Sequence, residues 1–171
     1  DMYYLTHILN KQYKNVVLVG HSSGCNTLLN NCNYEGIKKI ILLDPVKTKL
    51  WGTLRFNLPN ISSIFFLKAM KSYKRSYTPN AFPFIPQFLK INIDNLQTNG
   101  KCNIRLLEKQ DYGHSDLLNY DFSNIMHYSR ITIGYENRTK ENLKKYHIEL
   151  IELFKEFIEN YDIINESSLS R

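Results

Sequence analysis

The chain has 171 residues, 43% of them hydrophobic and 13% aromatic, so it is long enough to bury a core and too apolar to be disordered. Its net charge is +6, but no nucleic-acid-binding motif accompanies this charge, and the basic cluster within residues 68–75 is interpreted as a solvated face. No apolar run approaches the roughly 20 residues that a membrane helix needs, which excludes a transmembrane segment.

The three cysteines, Cys25, Cys32 and Cys102, lack the spacing of a disulfide framework or a zinc site. We therefore predict no metal and no cofactor, and a reducing compartment, slightly favouring the cytoplasm. No signal-peptide pattern is visible at the start of the chain, and the first residue, Asp1, indicates a fragment.

In chain order, helical spacing of apolar residues predicts an amphipathic helix over residues 3–13. Four runs that are apolar at successive positions predict strands buried on both faces, as in a parallel sheet: 16–19, 37–43, 61–67 and 104–107. A helix over 23–33 and the segments 46–60 and 68–103 are long enough to be crossover connections. The pattern predicts an α/β protein with a mostly parallel sheet flanked by helices.

The end of the chain has a strong helical pattern that starts after Thr139, whose side chain is predicted to cap it. Residues 1–161 are predicted to form one domain and 162–171 a polar tail. The segment 79–88 combines prolines with aromatic residues; it is either the border of a substrate pocket or a loop packed by its own aromatic side chains.

The sequence Gly20-His21-Ser22-Ser23-Gly24 follows the first predicted strand and precedes the first crossover helix. This G-x-S-x-G pattern between a strand and a helix is typical of a nucleophile elbow, in which flanking glycines permit a sharp turn and close packing of the helix. Ser22 is therefore the candidate nucleophile.

A serine nucleophile needs a general base, and His114 is the candidate because it follows the last predicted strand, at the carboxyl edge of a parallel sheet. Gly113 gives its loop freedom to turn inward. His7, His127 and His147 are predicted to be structural, and the side chain of His21, inside the elbow, is predicted to diverge from that of Ser22.

The acid that orients this base is predicted to be Asp44, at the end of the second strand. Pro45 is expected to hold Asp44 in an extended conformation and to end the strand there. Asp94 is the second candidate, whereas Asp111 and Asp116 are too close to His114 in sequence. The order nucleophile, acid, base is that of the α/β-hydrolase fold.

Three blocks resemble those of chlorophyllases and related α/β-hydrolases: Gly20-His21-Ser22-Ser23-Gly24, Leu43-Asp44-Pro45-Val46 and Asp111-Tyr112-Gly113-His114-Ser115-Asp116-Leu117-Leu118. The resemblance implies a Ser22, Asp44, His114 triad, but not chlorophyll as the substrate, because the residues at positions 23 and 25 differ from the usual chlorophyllase elbow. The expected activity is hydrolysis of a small-molecule carboxylic ester through an acyl-enzyme, with the backbone N–H of Ser23 as one oxyanion donor.

The strands that normally precede the elbow strand in this fold, and the loop that carries the second oxyanion donor, are not in this sequence. We therefore expect the strand at 16–19 to lie at an open sheet edge, covered by a missing N-terminal region or by a partner chain. The alternative functions are a catalytically inactive α/β-hydrolase homologue that acts by binding, and a basic interaction module.

Overall fold

The computed structural model describes residues 2–13, 15–32, 36–48, 55–72, 89–128 and 139–168. The chain divides into two compact units, residues 1–136 and 137–171, and each is described by itself. The first unit contains nine α-helices and β-strands within the described residues: α1 Met2–Gln12, β1 Val16–His21, α2 Ser23–Asn31, β2 Ile37–Leu43, β3 Phe56–Leu58, β4 Ser63–Ala69, β5 Leu96–Thr98, β6 Asn103–Lys109 and α3 Tyr120–Tyr128. The second unit contains α4, Lys140–Ser168.

A four-stranded parallel sheet with the order β1-β2-β4-β6 forms the centre of the first unit. Its register aligns Leu18 with Ile40, Ile40 with Ile64, and Ile64 with Ile104. The predicted α/β class and the four predicted strands are confirmed; β2 has the predicted bounds, and the ends of the other three differ by at most two residues. All four strands run in the same direction, so their carboxyl ends meet at one edge.

A second sheet was not predicted from the sequence. The short strands β3 and β5 pair in parallel, from Phe56 with Leu96 to Leu58 with Thr98. The predicted crossover over 46–60 therefore contains a strand. Three-residue strands carry too little periodicity to be found from sequence, and this pair is formed across about 40 positions of the chain.

The main core lies on the side of the sheet that α2 covers, where α2 packs on β1. Its buried members come from α2, from the strands of both sheets and from the segments next to them: Cys25, Leu28, Leu29, Cys32, Ile37, Ile40, Leu42, Phe56, Leu58, Ile61, Ile64, Phe66, Ile91 and Leu96. Burying each large aliphatic side chain contributes about 1.5–3 kcal/mol. This packing fixes α2 and the strand ends that carry the candidate site.

Strand β1 is the first strand of the sheet in spatial order and pairs with β2 on one side. Val19 on this strand is 57% exposed, unlike its neighbour Ile41 in β2, which is 1% exposed. The predicted edge position of this strand is therefore confirmed within the part of the chain that the structure describes. What covers the edge stays a prediction.

In the second unit, Thr139 caps α4 as predicted, since its Oγ1 accepts a hydrogen bond from the Asn142 N–H at 3.1 Å. The predicted tail is wrong for residues 162–168, which continue α4 to Ser168. No glycine or proline interrupts the sequence there, so nothing local ends the helix. The predicted domain boundary at residue 161 stays a prediction. Within the described ranges, no helix has the length and apolar character that crossing a membrane requires.

Candidate active site

Ser22 forms the turn between β1 and α2 in a strained backbone conformation. Its φ is 56° and its ψ is −127°, a combination that residues with a side chain rarely adopt. The Ser22 N–H donates to the Leu43 carbonyl at 3.0 Å, and the Ser22 carbonyl accepts from the N–H groups of Cys25 and Val46 at 3.1 Å each. The surrounding backbone therefore holds the strain, and the side chain is left half-buried at the sheet edge.

The two glycines of the elbow motif have different roles. A Cβ at Gly20 would lie 2.9 Å from the Cα of Cys25 and 3.0 Å from its backbone nitrogen, so close packing of α2 requires glycine there. A Cβ at Gly24 would meet nothing within 4 Å, and its φ is not positive. Close packing of α2, which was expected of both flanking glycines, therefore involves Gly20 and not Gly24.

Asp44 lies directly after β2, fully buried, with a φ of 43°. The prediction of an extended Asp44 before Pro45 is wrong, because this φ lies in the left-handed region, which aspartate tolerates better than most residues. Its N–H donates to the Leu67 carbonyl at 2.8 Å, and its Oδ1 accepts from the Ala69 N–H at 3.2 Å. Bonds to the end of β4 thus fix both its backbone and its carboxylate.

His114 begins a short helical turn, His114–Leu117, after β6 and is 7% exposed. Its Nδ1 lies 2.6 Å from Asp44 Oδ2, across 70 positions of sequence. Because the buried carboxylate accepts this bond, Nδ1 carries the proton and the Nε2 lone pair is left available. The predicted acid and base are therefore in direct contact.

Asp116 stabilises the turn that carries His114. Its Oδ2 accepts from the Gly113 N–H at 2.8 Å, and its Oδ1 accepts from the Ser123 hydroxyl at 3.4 Å. Asp116 and Ser123 are fully buried. The carboxylate therefore closes the loop locally and ties it to α3, as a capping residue does.

Lys90 forms a buried contact with Asp44 that the sequence did not predict. Its Nζ donates to Asp44 Oδ2 at 3.0 Å, and both side chains have no exposed surface. The segment of Lys90 is held against the chain after β2, since Lys47 N–H donates to the Leu89 carbonyl at 2.8 Å and Ile91 N–H to the Pro45 carbonyl at 3.1 Å. The only indication in the sequence that Lys90 is buried was its position between the apolar residues Leu89 and Ile91, and this did not identify its partner.

The side chain of His21, predicted to diverge from that of Ser22, contacts the candidate base. Its ring stacks on that of His114 with centroids 4.8 Å apart, and its Nε2–H donates to the His114 carbonyl at 3.2 Å. Burial, followed by the neighbouring His114, lowers the pKa of His21 to about 4, so this imidazole is neutral near neutral pH. The position of His21 next to Gly20 at the end of β1 did not indicate this contact, which joins residues 93 positions apart.

Two other aspartates considered for the orienting acid do not bond to His114 within the described residues. Asp94 and Asp111 are exposed, and neither has a bond to His114. Ser23 is the first residue of α2, where a backbone N–H has no acceptor within the helix, as an oxyanion donor requires.

No hydrogen bond joins the Ser22 hydroxyl to His114 in the described structure. Such bonds are often long in a free enzyme and shorten when substrate binds.

Among the residues that the structure describes, no three His, Cys, Asp or Glu side chains form a metal-ligand cluster. Comparison with protein-family models, with curated proteins and with solved structures gives no match. The site is therefore interpreted from its own geometry.

Proposed function

We propose that this protein is a serine hydrolase that cleaves a small-molecule carboxylic ester through an acyl-enzyme, with Ser22 as nucleophile, His114 as general base and Asp44 as orienting acid. The observation that carries the proposal is the 2.6 Å contact between His114 Nδ1 and the buried Asp44 carboxylate. A strained serine lies one strand away, at the same sheet edge. A binding protein has no chemical need for this combination.

The α/β-hydrolase fold is part of the proposal. The nucleophile follows β1, the acid follows β2 and the base follows β6, in the chain order of that fold. Backbone bonds connect these strand ends in series: Ser22 N–H to Leu43 C=O, Asp44 N–H to Leu67 C=O, and Lys71 N–H to Tyr112 C=O. A rigid edge of this kind supports the alignment that acyl transfer needs.

In the proposed first step, His114 Nε2 accepts the Ser22 hydroxyl proton while Oγ bonds to the ester carbonyl carbon. The carbonyl oxygen becomes an oxyanion near the Ser23 N–H, and Asp44 stabilises the imidazolium. The C–O bond to the alcohol then breaks as His114 returns the proton to the leaving oxygen. In the second step, His114 deprotonates a water whose oxygen bonds to the acyl carbon. The bond from that carbon to Ser22 Oγ then breaks as His114 returns the proton to Oγ, and the carboxylic acid is released.

A fluorophosphonate probe tests the nucleophile without knowledge of the ester. We expect covalent labelling of the wild-type protein, loss of labelling in Ser22→Ala, and labelling at least about 100-fold slower in His114→Gln, because general-base assistance is lost. Thr27→Ala is the matched control, since it removes an exposed hydroxyl about one turn further along α2. Intact-mass spectrometry measures the extent of labelling.

Labelling that persists in Ser22→Ala would assign the reaction to another residue. No labelling of the folded wild-type protein at any pH would favour the alternative, an inactive homologue that acts by binding.

A further inference from the structure

Two nitrogen donors share one oxygen of Asp44. Lys90 Nζ and His114 Nδ1 lie 3.0 and 2.6 Å from Oδ2, and Oδ1 accepts from the Ala69 N–H. Lys90 and Asp44 have no exposed side-chain surface. A triad needs a carboxylate to orient the histidine, but it does not need a lysine on the same oxygen, so Lys90 requires its own explanation.

The charges of this cluster differ between the two states of His114. With a neutral imidazole, Lys90 balances Asp44 and the buried cluster has no net charge. With an imidazolium, the cluster carries one uncompensated positive charge, which burial disfavours. Without the Lys90 charge, the protonated state of His114 is favoured instead, because Asp44 and the imidazolium then balance each other.

We propose that Lys90 is a positioning residue that fixes the Asp44 carboxylate and, by its charge, favours the neutral imidazole of His114, the form that accepts the Ser22 proton. The inference rests on the proposed hydrolase function. It adds a fourth residue to the triad, one that touches no reacting atom and acts through Asp44.

The other titratable groups near His114 and Asp44 do not supply this charge. His21 on β1 has a pKa of about 4 and is neutral at the pH values concerned, and burial raises the pKa of the Cys25 thiol on α2 to about 12, so it is neutral as well. Asp116, in the turn of His114 itself, is bonded to Gly113 and Ser123. Burial lowers the pKa of Lys90, and the contact with Asp44 opposes this effect.

The test compares the pH dependence of probe labelling or ester hydrolysis in three variants at position 90. Lys90→Met removes the charge and the donor, Lys90→Gln removes the charge and keeps an N–H donor, and Lys90→Arg keeps the charge. The matched control is Lys39→Met, a buried lysine near the opposite end of β2. Thermal unfolding of each variant shows whether it is folded.

We expect the acid limb of the rate profile to move to higher pH by about one unit in Lys90→Met and Lys90→Gln, because a neighbouring positive charge has been removed. Lys90→Arg and Lys39→Met should keep the wild-type limb. The same displacement is expected in the ¹⁵N resonances of the His114 imidazole, identified by their loss in His114→Gln. This second measurement needs no activity, so it tests the role of Lys90 even if the protein hydrolyses nothing.

Three results would overturn the proposal. If the profile and the His114 resonances of folded Lys90→Met match those of the wild type, the lysine has a structural role only. If folded Lys90→Met is inactive at every pH while the resonances are unchanged, Lys90 does not act through the charge state of His114. If both uncharged variants unfold at every pH, Lys90 is required for folding and not for the charge state of His114.

Discussion

The serine turn and the Asp44–His114 pair lie at the same sheet edge, but they are held in different ways. Ser22 is held by its backbone, through a strained φ of 56°, close packing of α2 on Gly20 and three main-chain hydrogen bonds. Asp44 and His114 are held by buried side-chain contacts that join segments 46 to 70 positions apart. The difference teaches that the geometry of the serine turn depends on sterics and that of the Asp44–His114 pair on electrostatics, so different substitutions should damage each.

The largest effect on stability is expected from Asp44→Asn, which leaves the Lys90 ammonium buried without its counter-charge. Removing one partner of a buried ion pair costs about 3–5 kcal/mol, which urea unfolding measures. The matched control is Glu108→Gln, because Glu108 pairs with Lys68 at 3.4 Å but is 38% exposed. Exposed pairs contribute about 0–1 kcal/mol. Equal losses in the two variants would contradict an electrostatic basis for the pair.

The next largest effect on stability is expected at His21, which precedes Ser22 in the serine turn and stacks on His114. Its pKa is about 4 in the folded protein and 6.5 in an unfolded chain, so the unfolded state binds more protons between these values. Stability is fully present above pH 6.5 and is lost as the pH falls towards 4, by about 3 kcal/mol at most. We expect His21→Phe, which keeps an aromatic ring against His114, to flatten the pH dependence of the unfolding free energy.

The control for this prediction is His7→Phe, since His7 is exposed on α1. That variant should keep the wild-type slope. A slope in His21→Phe equal to that of the wild type would show that burial of His21 is not what makes the protein sensitive to acid.

The smallest effect is expected in the turn, where the two glycines form a matched pair. Gly20→Ala should destabilise the protein by about 1–3 kcal/mol and slow probe labelling, because the new Cβ forces the backbone of α2 away. Gly24→Ala should be neutral or stabilising by up to about 1 kcal/mol, since its Cβ enters open space in a helix. Denaturant unfolding of both variants measures the difference, and equal destabilisation would contradict the steric explanation of the turn.

The class of fold and the edge at which the site lies were predictable from local patterns. Runs that are apolar at successive positions indicate parallel strands, and the carboxyl ends of parallel strands meet at one edge. Ser22, Asp44 and His114 could be chosen because each follows such a run. The sheet of β3 and β5 could not be predicted, because three-residue strands have no distinctive period and their pairing is non-local.

By itself, the sequence determined the α/β class, the serine turn and the three candidate triad residues, since these depend on local periodicity and on residue types at strand ends. Only the tertiary structure decided that Lys90 shares the carboxylate of Asp44, that His21 stacks on His114, and that Gly20 but not Gly24 lies against the backbone. These contacts join segments far apart in the chain or depend on distances of a few ångströms. A one-dimensional pattern carries neither kind of information.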